Sequence, residues 1–141
     1  MIYVNKKKII FICTGNACRS QIAHGLLENM ARDKFEVFSA GSHPSRVHTM
    51  SIKIMEEIGI DISHHTSDFI DDYLNAGIEI VITVCNNANK ICPVFPGNAE
   101  KLHWSIKDPF KGWDFDETQI QSFRDTREEI KQRIIKFLNN H

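Results

Sequence analysis

The chain has 141 residues, a formal net charge of −1 and 42% hydrophobic residues. This length is typical of one domain, here expected to span residues 1–141, and it can bury a full core without metal or disulfide staples. The balanced charge, with no basic block longer than Lys6-Lys7-Lys8, argues against nucleic acid or a membrane surface as a partner.

The four cysteines are a second informative feature of the composition. No signal peptide is visible, since the apolar run Ile9–Ile12 after the lysines is too short for one and too short for a membrane span. A cytoplasmic protein is therefore expected. In a reducing compartment, four cysteines indicate that some of the thiols react, rather than that they form a static disulfide framework.

Short apolar runs alternate along the chain with helical patterns. Strands are predicted at 6–12, 35–40, 78–84 and 101–104, and helices at about 20–31, 48–58 and 117–138, with a short helix ending at 74. The β-branched run at 78–84 indicates a central strand covered on both faces, whereas 101–104 is expected at an edge. This alternation predicts an α/β fold with a doubly wound parallel sheet, in which ligands bind at the carboxyl ends of the strands.

The stretch that joins the first strand to the first helix reads Cys13-Thr14-Gly15-Asn16-Ala17-Cys18-Arg19-Ser20. A short loop before a helix N-terminus gathers unpaired backbone N–H groups at the positive end of the helix dipole, which makes a cradle for an oxyanion. Cys13 would be held there as a thiolate, and Arg19 would grip a tetrahedral oxyanion with its planar fork of donors. Gly15 and Asn16 are expected to allow backbone conformations that other residues resist, and the Ser20 hydroxyl to donate to the Cys13 sulfur.

Asp108 is the candidate general acid. An anionic nucleophile that attacks an anionic substrate needs charge neutralisation, from the loop amides and Arg19, and the leaving oxygen needs a proton. Asp108 stands beside Pro109 in a loop after the fourth predicted strand, which suits this role but is equally typical of a turn aspartate before proline. Because Cys13, Cys85 and Asp108 each follow a predicted strand, their side chains are expected to converge on one site.

Cys85 and Cys92 allow three interpretations. Both can be small buried hydrophobes, since free cysteine is often buried. They can bind a metal with His103 as a third ligand, although a spacing of seven does not match a compact cysteine pair such as CxxC. They can also form a redox relay, in which Cys85 attacks Cys13 after substrate binding and Cys92 then attacks Cys85. Cys18 is either a bystander or a partner of Cys13 in a protective disulfide.

The chain resembles the thioredoxin-coupled arsenate reductases, which share their fold with the low-molecular-weight protein tyrosine phosphatases. The resemblance covers essentially the whole chain and rests on the segments 13–20, 39–41, 60–63, 66–68, 84–85, 92–93, 103–104 and 108–109. The pair Cys85 and Cys92 favours the reductase branch, and Phe110-Lys111 replaces the tyrosine pair that typically follows Asp-Pro in the phosphatases. The resemblance implies a four-stranded parallel sheet with helices on both faces.

The resemblance also implies a mechanism. Cys13 attacks arsenate, while Arg19 and the amides of residues 14–18 hold the oxyanion. Asp108 protonates the leaving oxygen. Cys85 attacks the Cys13–arsenic adduct, which releases arsenite and leaves a Cys13–Cys85 disulfide. Cys92 then attacks Cys85, and thioredoxin reduces the resulting Cys85–Cys92 disulfide. No tightly bound cofactor is implied, and a monomer is the family expectation.

Some members of this family also bind a potassium ion through an asparagine, a glutamate, a serine and an aspartate. Asn16, Ser39 and Asp68 match three of these positions, but His24 stands at the glutamate position. Because imidazole is a poor ligand for a hard alkali cation, at most a weak alkali-ion site is expected. His24 is interpreted as a surface residue or a neighbour of the site.

Two alternatives to arsenate reduction are compatible with the sequence. The first is a low-molecular-weight protein tyrosine phosphatase that hydrolyses phosphomonoesters, in which Cys13, Arg19 and Asp108 keep their roles and water resolves a phosphocysteine. The second is an oxyanion-binding or thiol-switch protein without enzymatic activity. Arsenate reduction is the preferred hypothesis.

Overall fold

The computed structural model describes residues 6–85 and 95–141. Its elements in chain order are β1 (Lys7–Cys13), α1 (Arg19–Ala31), β2 (Phe35–Gly41), α2 (Thr49–Glu56), a first 3₁₀ turn (Ile70–Tyr73), β3 (Ile80–Val84), β4 (Glu100–Trp104), a second 3₁₀ turn (Glu117–Gln119) and α3 (Ile120–Asn140). Within this part of the chain, no helix is both long enough and apolar enough to cross a membrane.

The four strands form one parallel sheet in the order β2-β1-β3-β4. This order confirms the predicted four-stranded parallel sheet, with the run 78–84 inside it and 101–104 at its edge. The predicted helix 48–58 is shorter at both ends, because the His48 imidazole caps its start and Gly59, with a φ of 79°, ends it. The predicted short helix that ends at 74 is a single 3₁₀ turn.

Alternate residues of β1 face opposite sides of the sheet, and both sides are covered. Ile9 and Phe11 are fully buried on the face where α1, α2 and α3 pack. Ile10 and Ile12 are fully buried on the other face, together with Ile70 of the first 3₁₀ turn. Helical elements therefore lie on both faces, as predicted, and the continuous apolar character of β1 follows from this double burial.

Two arginines of α3 hold the C-terminal end of α2 through Glu57. The Nη2 atom of Arg124 lies 2.6 Å from Oε2 of Glu57, and the Nη1 atom of Arg127 lies 2.9 Å from Oε1. Arg127 also donates to the carbonyl oxygen of Ile54, one of the last in α2, at 2.7 Å. The hydrogen bonds from Arg124, and then from Arg127, lower the pKa of Glu57 to about 2.

Replacing Glu57 by glutamine is expected to lower the thermal unfolding midpoint at pH 7 by roughly 3 °C, a small effect because solvent screens an exposed ion pair. Since the folded-state pKa of Glu57 lies below its ordinary value of 4.5, its stabilisation is present above that value and is lost as the pH falls towards 2. Thermal unfolding measured at successive pH values should show the difference from wild type closing in acid.

Glu56→Gln is the matched control, because Glu56 is exposed at the end of the same helix and forms no ion pair in the described part of the chain. An equal loss for Glu56→Gln, or a difference for Glu57→Gln that does not shrink in acid, would contradict this account of the contact between α2 and α3.

Candidate active site

A cavity of about 270 Å³ opens at the carboxyl end of β1. The residues that line it are Cys13, Thr14, Gly15, Ala17, Cys18, Arg19, Ser45, Asp108, Phe110 and Trp113. The structure thus places the predicted nucleophile, most of the predicted oxyanion-binding residues and the predicted general acid around one space. Asn16 and Ser20 are fully buried behind the loop and do not line the cavity.

Donors outside the loop hold four consecutive loop carbonyl groups. Backbone N–H groups hold the first and last of them: His43 donates to Thr14 O at 2.9 Å, and His48 donates to Ala17 O at 3.1 Å. Side chains hold the other two. The hydroxyls of Ser45 and Ser67 donate to Gly15 O at 3.1 and 3.0 Å, and Nε2 of Gln21 donates to Asn16 O at 3.1 Å. A trans peptide unit points its N–H opposite to its C=O, and the described chain contains no cis bond. The N–H groups of Gly15 to Cys18 therefore point away from these donors, and no described residue accepts a hydrogen bond from them.

Asn16 fixes the backbone of the loop and the group beside the cysteine. Its φ of 48° lies in the left-handed region, as expected for this residue. Its Oδ1 accepts the N–H of Asp68 at 2.8 Å, which turns its Nδ2 towards Ser20 Oγ at 2.7 Å. Ser20 Oγ also lies 2.9 Å from Cys13 Sγ. This distance allows the hydrogen bond that the sequence predicts between the Ser20 hydroxyl and the Cys13 sulfur.

The expectation for Gly15 is wrong, and Gly41 has the role instead. The φ of Gly15 is not positive, and an added Cβ would meet nothing closer than Ser45 Oγ at 3.5 Å. A Cβ on Gly41, the last residue of β2, would lie 2.4 Å from the Thr14 carbonyl oxygen. The loop rests directly on the backbone of Gly41, so the glycine that the loop geometry requires lies outside the loop.

Arg19 and Asp108 form an ion pair across the cavity. Nη2 of Arg19 lies 3.4 Å from Oδ2 of Asp108, and Nη1 donates to the Ile106 carbonyl oxygen at 2.9 Å. The Arg19 side chain is only 7% exposed, whereas that of Asp108 is 45% exposed. The guanidinium is therefore fixed inside the cavity, and the carboxyl group lies at its mouth, within reach of both a ligand and solvent.

His48 connects the loop to the segment that carries Asp108, and sequence reasoning missed this role. Its ring is fully buried and stacks on Trp113, with ring centroids 5.3 Å apart. Its Nδ1 accepts the N–H of Met50 at 3.1 Å, so the ring proton is on Nε2, which donates to the Gly112 carbonyl oxygen at 2.7 Å. The only sequence signal was its position just before a helix.

Cys18 is a buried free thiol. Burial, and then the negative charge of Asp108, raises the pKa of this thiol, so it stays neutral and is a poor nucleophile. Cys13 is also free, so the protective disulfide between these two cysteines is not formed in this structure.

The second pair of cysteines lies only partly within the described residues. Cys85 follows β3, is buried, is disulfide-bonded and does not line the cavity. Cys92 lies outside the described residues. His103 places its Nδ1 2.7 Å from the Thr83 hydroxyl, and within the described ranges Cys85 and His103 belong to no cluster of metal-ligating groups.

The three side chains expected at a weak alkali-ion site already have protein partners. Asn16 uses both ends of its amide, as described above, and the Ser39 hydroxyl lies 2.9 Å from Nδ1 of His24. The Asp68 carboxylate accepts hydrogen bonds from the hydroxyls of Thr66 and Tyr73, at 2.8 and 2.6 Å.

The fold, with a strand–loop–helix cradle at the carboxyl end of β1, is that of a phosphatase-like protein, and the comparison with known proteins agrees. Residues 8–140 match the low molecular weight phosphotyrosine protein phosphatase family. The chain belongs to this family, as the sequence resemblance predicted. The arsenate reductase of Halalkalibacterium halodurans is 45% identical over 134 residues, which are 95% of this chain and 96% of that protein. Arsenate reductase 1 of Staphylococcus epidermidis is 46% identical over 134 residues, 95% of this chain and 97% of its own.

Two solved structures extend the likeness to three dimensions. An arsenate reductase in its phosphate-binding state has a TM-score of 0.79 and 33% identity, and the match covers 95% of this chain and 98% of that one. The thioredoxin-dependent arsenate reductase of Corynebacterium glutamicum has a TM-score of 0.74 and 31% identity, over 99% of this chain and 63% of that one. The predicted fold class and the resemblance to arsenate reductases are confirmed.

Gly41→Ala is expected to weaken the binding of inorganic phosphate at least about tenfold, because the added methyl would displace the Thr14 carbonyl and with it the loop amides. Gly15→Ala is the matched control inside the loop and should bind phosphate within about threefold of wild type, since its Cβ meets only ordinary contacts. Calorimetric titration with phosphate, with circular dichroism to check the fold, measures both. The opposite ranking would contradict the role assigned to Gly41.

Proposed function

We propose that the protein reduces arsenate to arsenite through Cys13, Cys85 and Cys92, with thioredoxin as the reductant. The proposal rests on one observation: the N–H groups of Gly15 to Cys18 have no acceptor among the described residues, and Cys13 and the buried guanidinium of Arg19 line the cavity that this loop forms. The relatives with 45% and 46% identity, which are arsenate reductases, support the choice of arsenate over other oxyanions.

The cavity is suited to a tetrahedral oxyanion. The N–H groups of Gly15 to Cys18 donate to its oxygens, and Arg19, held by the Ile106 carbonyl, adds two more donors without reorganisation. In the free cavity Arg19 pairs with the Asp108 carboxylate, which would repel a dianion. Asp108 lines the same cavity, so its carboxyl group is within reach of the bound oxyanion, as a general acid must be.

The first chemical step forms a bond between Cys13 and arsenic. The thiolate, stabilised by the Ser20 hydroxyl, attacks arsenic as an arsenic–oxygen bond breaks. The leaving oxygen takes the proton of Asp108 and departs as water. Arg19 and the loop amides stabilise the charge on the remaining oxygens. The product is an adduct of arsenic(V) with the Cys13 sulfur.

The second stage moves two electrons from cysteines to arsenic. The Cys85 thiolate attacks the Cys13 sulfur, and the electron pair of the sulfur–arsenic bond stays on arsenic, which leaves as arsenite. Cys92 then attacks Cys85 and releases the Cys13 thiolate, and thioredoxin supplies two electrons to the remaining disulfide. In the structure Cys85 is disulfide-bonded, whereas Cys13 is free. No tightly bound cofactor enters the scheme.

The proposed reductant also indicates where in the cell the protein acts. Thioredoxin acts where thiols are kept reduced, which supports a cytoplasmic location. A monomer is the assembly that the family resemblance implies.

Phosphomonoester hydrolysis is the second candidate function. The family match supports it, and Phe110 and Trp113 at the cavity give an aromatic substrate apolar surface to contact. Cys13, Arg19 and Asp108 keep their roles, and water attacks a phosphocysteine in place of Cys85. The same cavity can accept both substrates, because arsenate and phosphate are similar in shape and charge.

The double variant Cys85→Ser with Cys92→Ser is expected to lose thioredoxin-coupled arsenate reduction by at least about 100-fold. The one thiol left to resolve the Cys13 adduct is that of Cys18, which burial keeps neutral and poorly nucleophilic. Its hydrolysis of an aryl phosphate should stay within about threefold of wild type. Arsenite production and NADPH consumption, with thioredoxin and thioredoxin reductase present, measure the first activity, and release of the aryl alcohol measures the second.

Cys13→Ser should lose both activities, and Cys18→Ser, which removes a buried neutral thiol, should keep both. Arsenate-dependent NADPH consumption by the double variant would show that the relay is wrong. Aryl phosphate hydrolysis by wild type without arsenate-dependent NADPH consumption would instead favour the phosphatase. The absence of both activities would favour a thiol switch.

A further inference from the structure

A cluster of two imidazoles and one carboxylate lies outside the cavity, where α1 meets the segment that precedes the first 3₁₀ turn. His24 and Glu28 are four residues apart on α1, and Nε2 of His24 lies 3.5 Å from Oε2 of Glu28. The ring of His65 stacks on that of His24, with centroids 4.3 Å apart. One ligand atom from each of the three residues lies within 4.8 Å of the other two.

We propose that His24, Glu28 and His65 bind a divalent transition-metal ion, of the class of Zn²⁺, Co²⁺ or Ni²⁺. Imidazole nitrogens suit these ions, and a carboxylate completes a common ligand set. The hard cations K⁺, Mg²⁺ and Ca²⁺ prefer oxygen ligands, so two imidazoles select against them. This proposal does not depend on the function proposed above.

Hydrogen bonds fix the protonation of the His65 ring. Gln21 donates both amide hydrogens, to the carbonyl oxygens of Asn16 and Thr66 at 3.1 and 2.9 Å. Its Oε1 is therefore the atom that faces His65 Nδ1, at 3.0 Å, and an amide oxygen only accepts. The proton of His65 lies on Nδ1, and the lone pair on Nε2 is available to a metal. A histidine ligand normally donates its other ring N–H in this way.

In His24, too, Nδ1 has a hydrogen-bond partner and Nε2 faces the cluster. Its Nδ1 lies 2.9 Å from the Ser39 hydroxyl, which can accept the ring hydrogen, and its Nε2 faces Glu28. Burial, and then the neighbouring His65 and His64, lowers the pKa of His24 to about 3. Burial also lowers the pKa of His65. With Nδ1 of His24 engaged by Ser39 and Nδ1 of His65 by Gln21, Nε2 is the ring nitrogen left for a metal.

The ligand atoms must move closer together to bind an ion. Ligand atoms 2.0–2.1 Å from a tetrahedral ion are about 3.3 Å apart, so atoms that lie up to 4.8 Å apart must approach by as much as about 1.5 Å, and the stacked imidazole rings must tilt towards the ion. The Glu28 side chain is 44% exposed and can rotate, while its backbone stays in α1. The separation of 3.5 Å between His24 Nε2 and Glu28 Oε2 is already near the required value.

An ion can reach the cluster from solvent. Glu28, His64 and His65 line a surface cleft of about 280 Å³ that is separate from the cavity around Cys13. The exposed ring of His64 lies edge-on to that of His65, with centroids 4.8 Å apart. Water from the cleft can fill the fourth coordination position, as at metal sites that have three protein ligands.

Titration of the full-length protein with Co²⁺ tests the proposal. We expect one Co²⁺ per chain, with visible d–d absorption typical of nitrogen and oxygen ligands. His24→Asn and His65→Asn should each weaken binding at least about tenfold, and Glu28→Gln should weaken it severalfold. On addition of Zn²⁺, the ring ¹⁵N resonances of His24 and His65 should shift in the NMR spectrum of the wild-type protein.

The control is His103→Asn, which removes an exposed histidine on β4 and should bind Co²⁺ like wild type. Glu28→Gln changes an exposed side chain, so a loss of affinity in this variant is not an effect of misfolding. Equal binding by wild type and all three cluster variants, with near-ultraviolet sulfur-to-cobalt absorption, would place the ion on the cysteines and overturn the proposal. No binding at millimolar Co²⁺ would also overturn it.

Discussion

The candidate site depends on the direction of four peptide groups. The carbonyl groups of residues 14–17 are each held by donors outside the loop, so the next N–H groups in the chain must face the other way. Dipoles that are fixed before a ligand arrives stabilise its charge without the cost of reorganisation. The chemistry of Cys13 and Arg19 therefore rests on hydrogen bonds that neither residue makes.

These donors come from parts of the sequence that only the fold brings together. His43, Ser45 and His48 follow β2, whereas Ser67 precedes the first 3₁₀ turn. The backbone of Gly41 contacts the loop directly, because the absence of a side chain leaves room for the Thr14 carbonyl. The hydrogen bond from His48 to the Gly112 carbonyl also ties the loop to the segment that carries the candidate acid. Cys13 and the candidate acid Asp108 are thus positioned by shared contacts.

The sequence predicted the features that local patterns encode. Period-two and period-3.6 hydrophobicity located the strands and helices, and the strand–loop–helix context located the cradle and the left-handed Asn16. It could not predict that Gly41, rather than Gly15, is sterically required, because the contact with Thr14 crosses 27 residues of chain and depends on the register of β1 and β2. The cluster of His24 and His65 was missed for the same reason, since the stacking of their rings is a tertiary contact.

The strand order bears on the proposed cysteine relay. β3 is the direct neighbour of β1, and Ile12 pairs with Thr83, so Cys13 is level with Val84 and Cys85 comes one residue later. Neighbouring strands are about 4.8 Å apart, within the Cα separation that a disulfide spans. Successive residues of a strand point to opposite faces, so Cys85 must reorient after Val84 to reach the Cys13 sulfur. The topology therefore supplies the proximity, and a rearrangement at the end of β3 must supply the sulfur–sulfur contact.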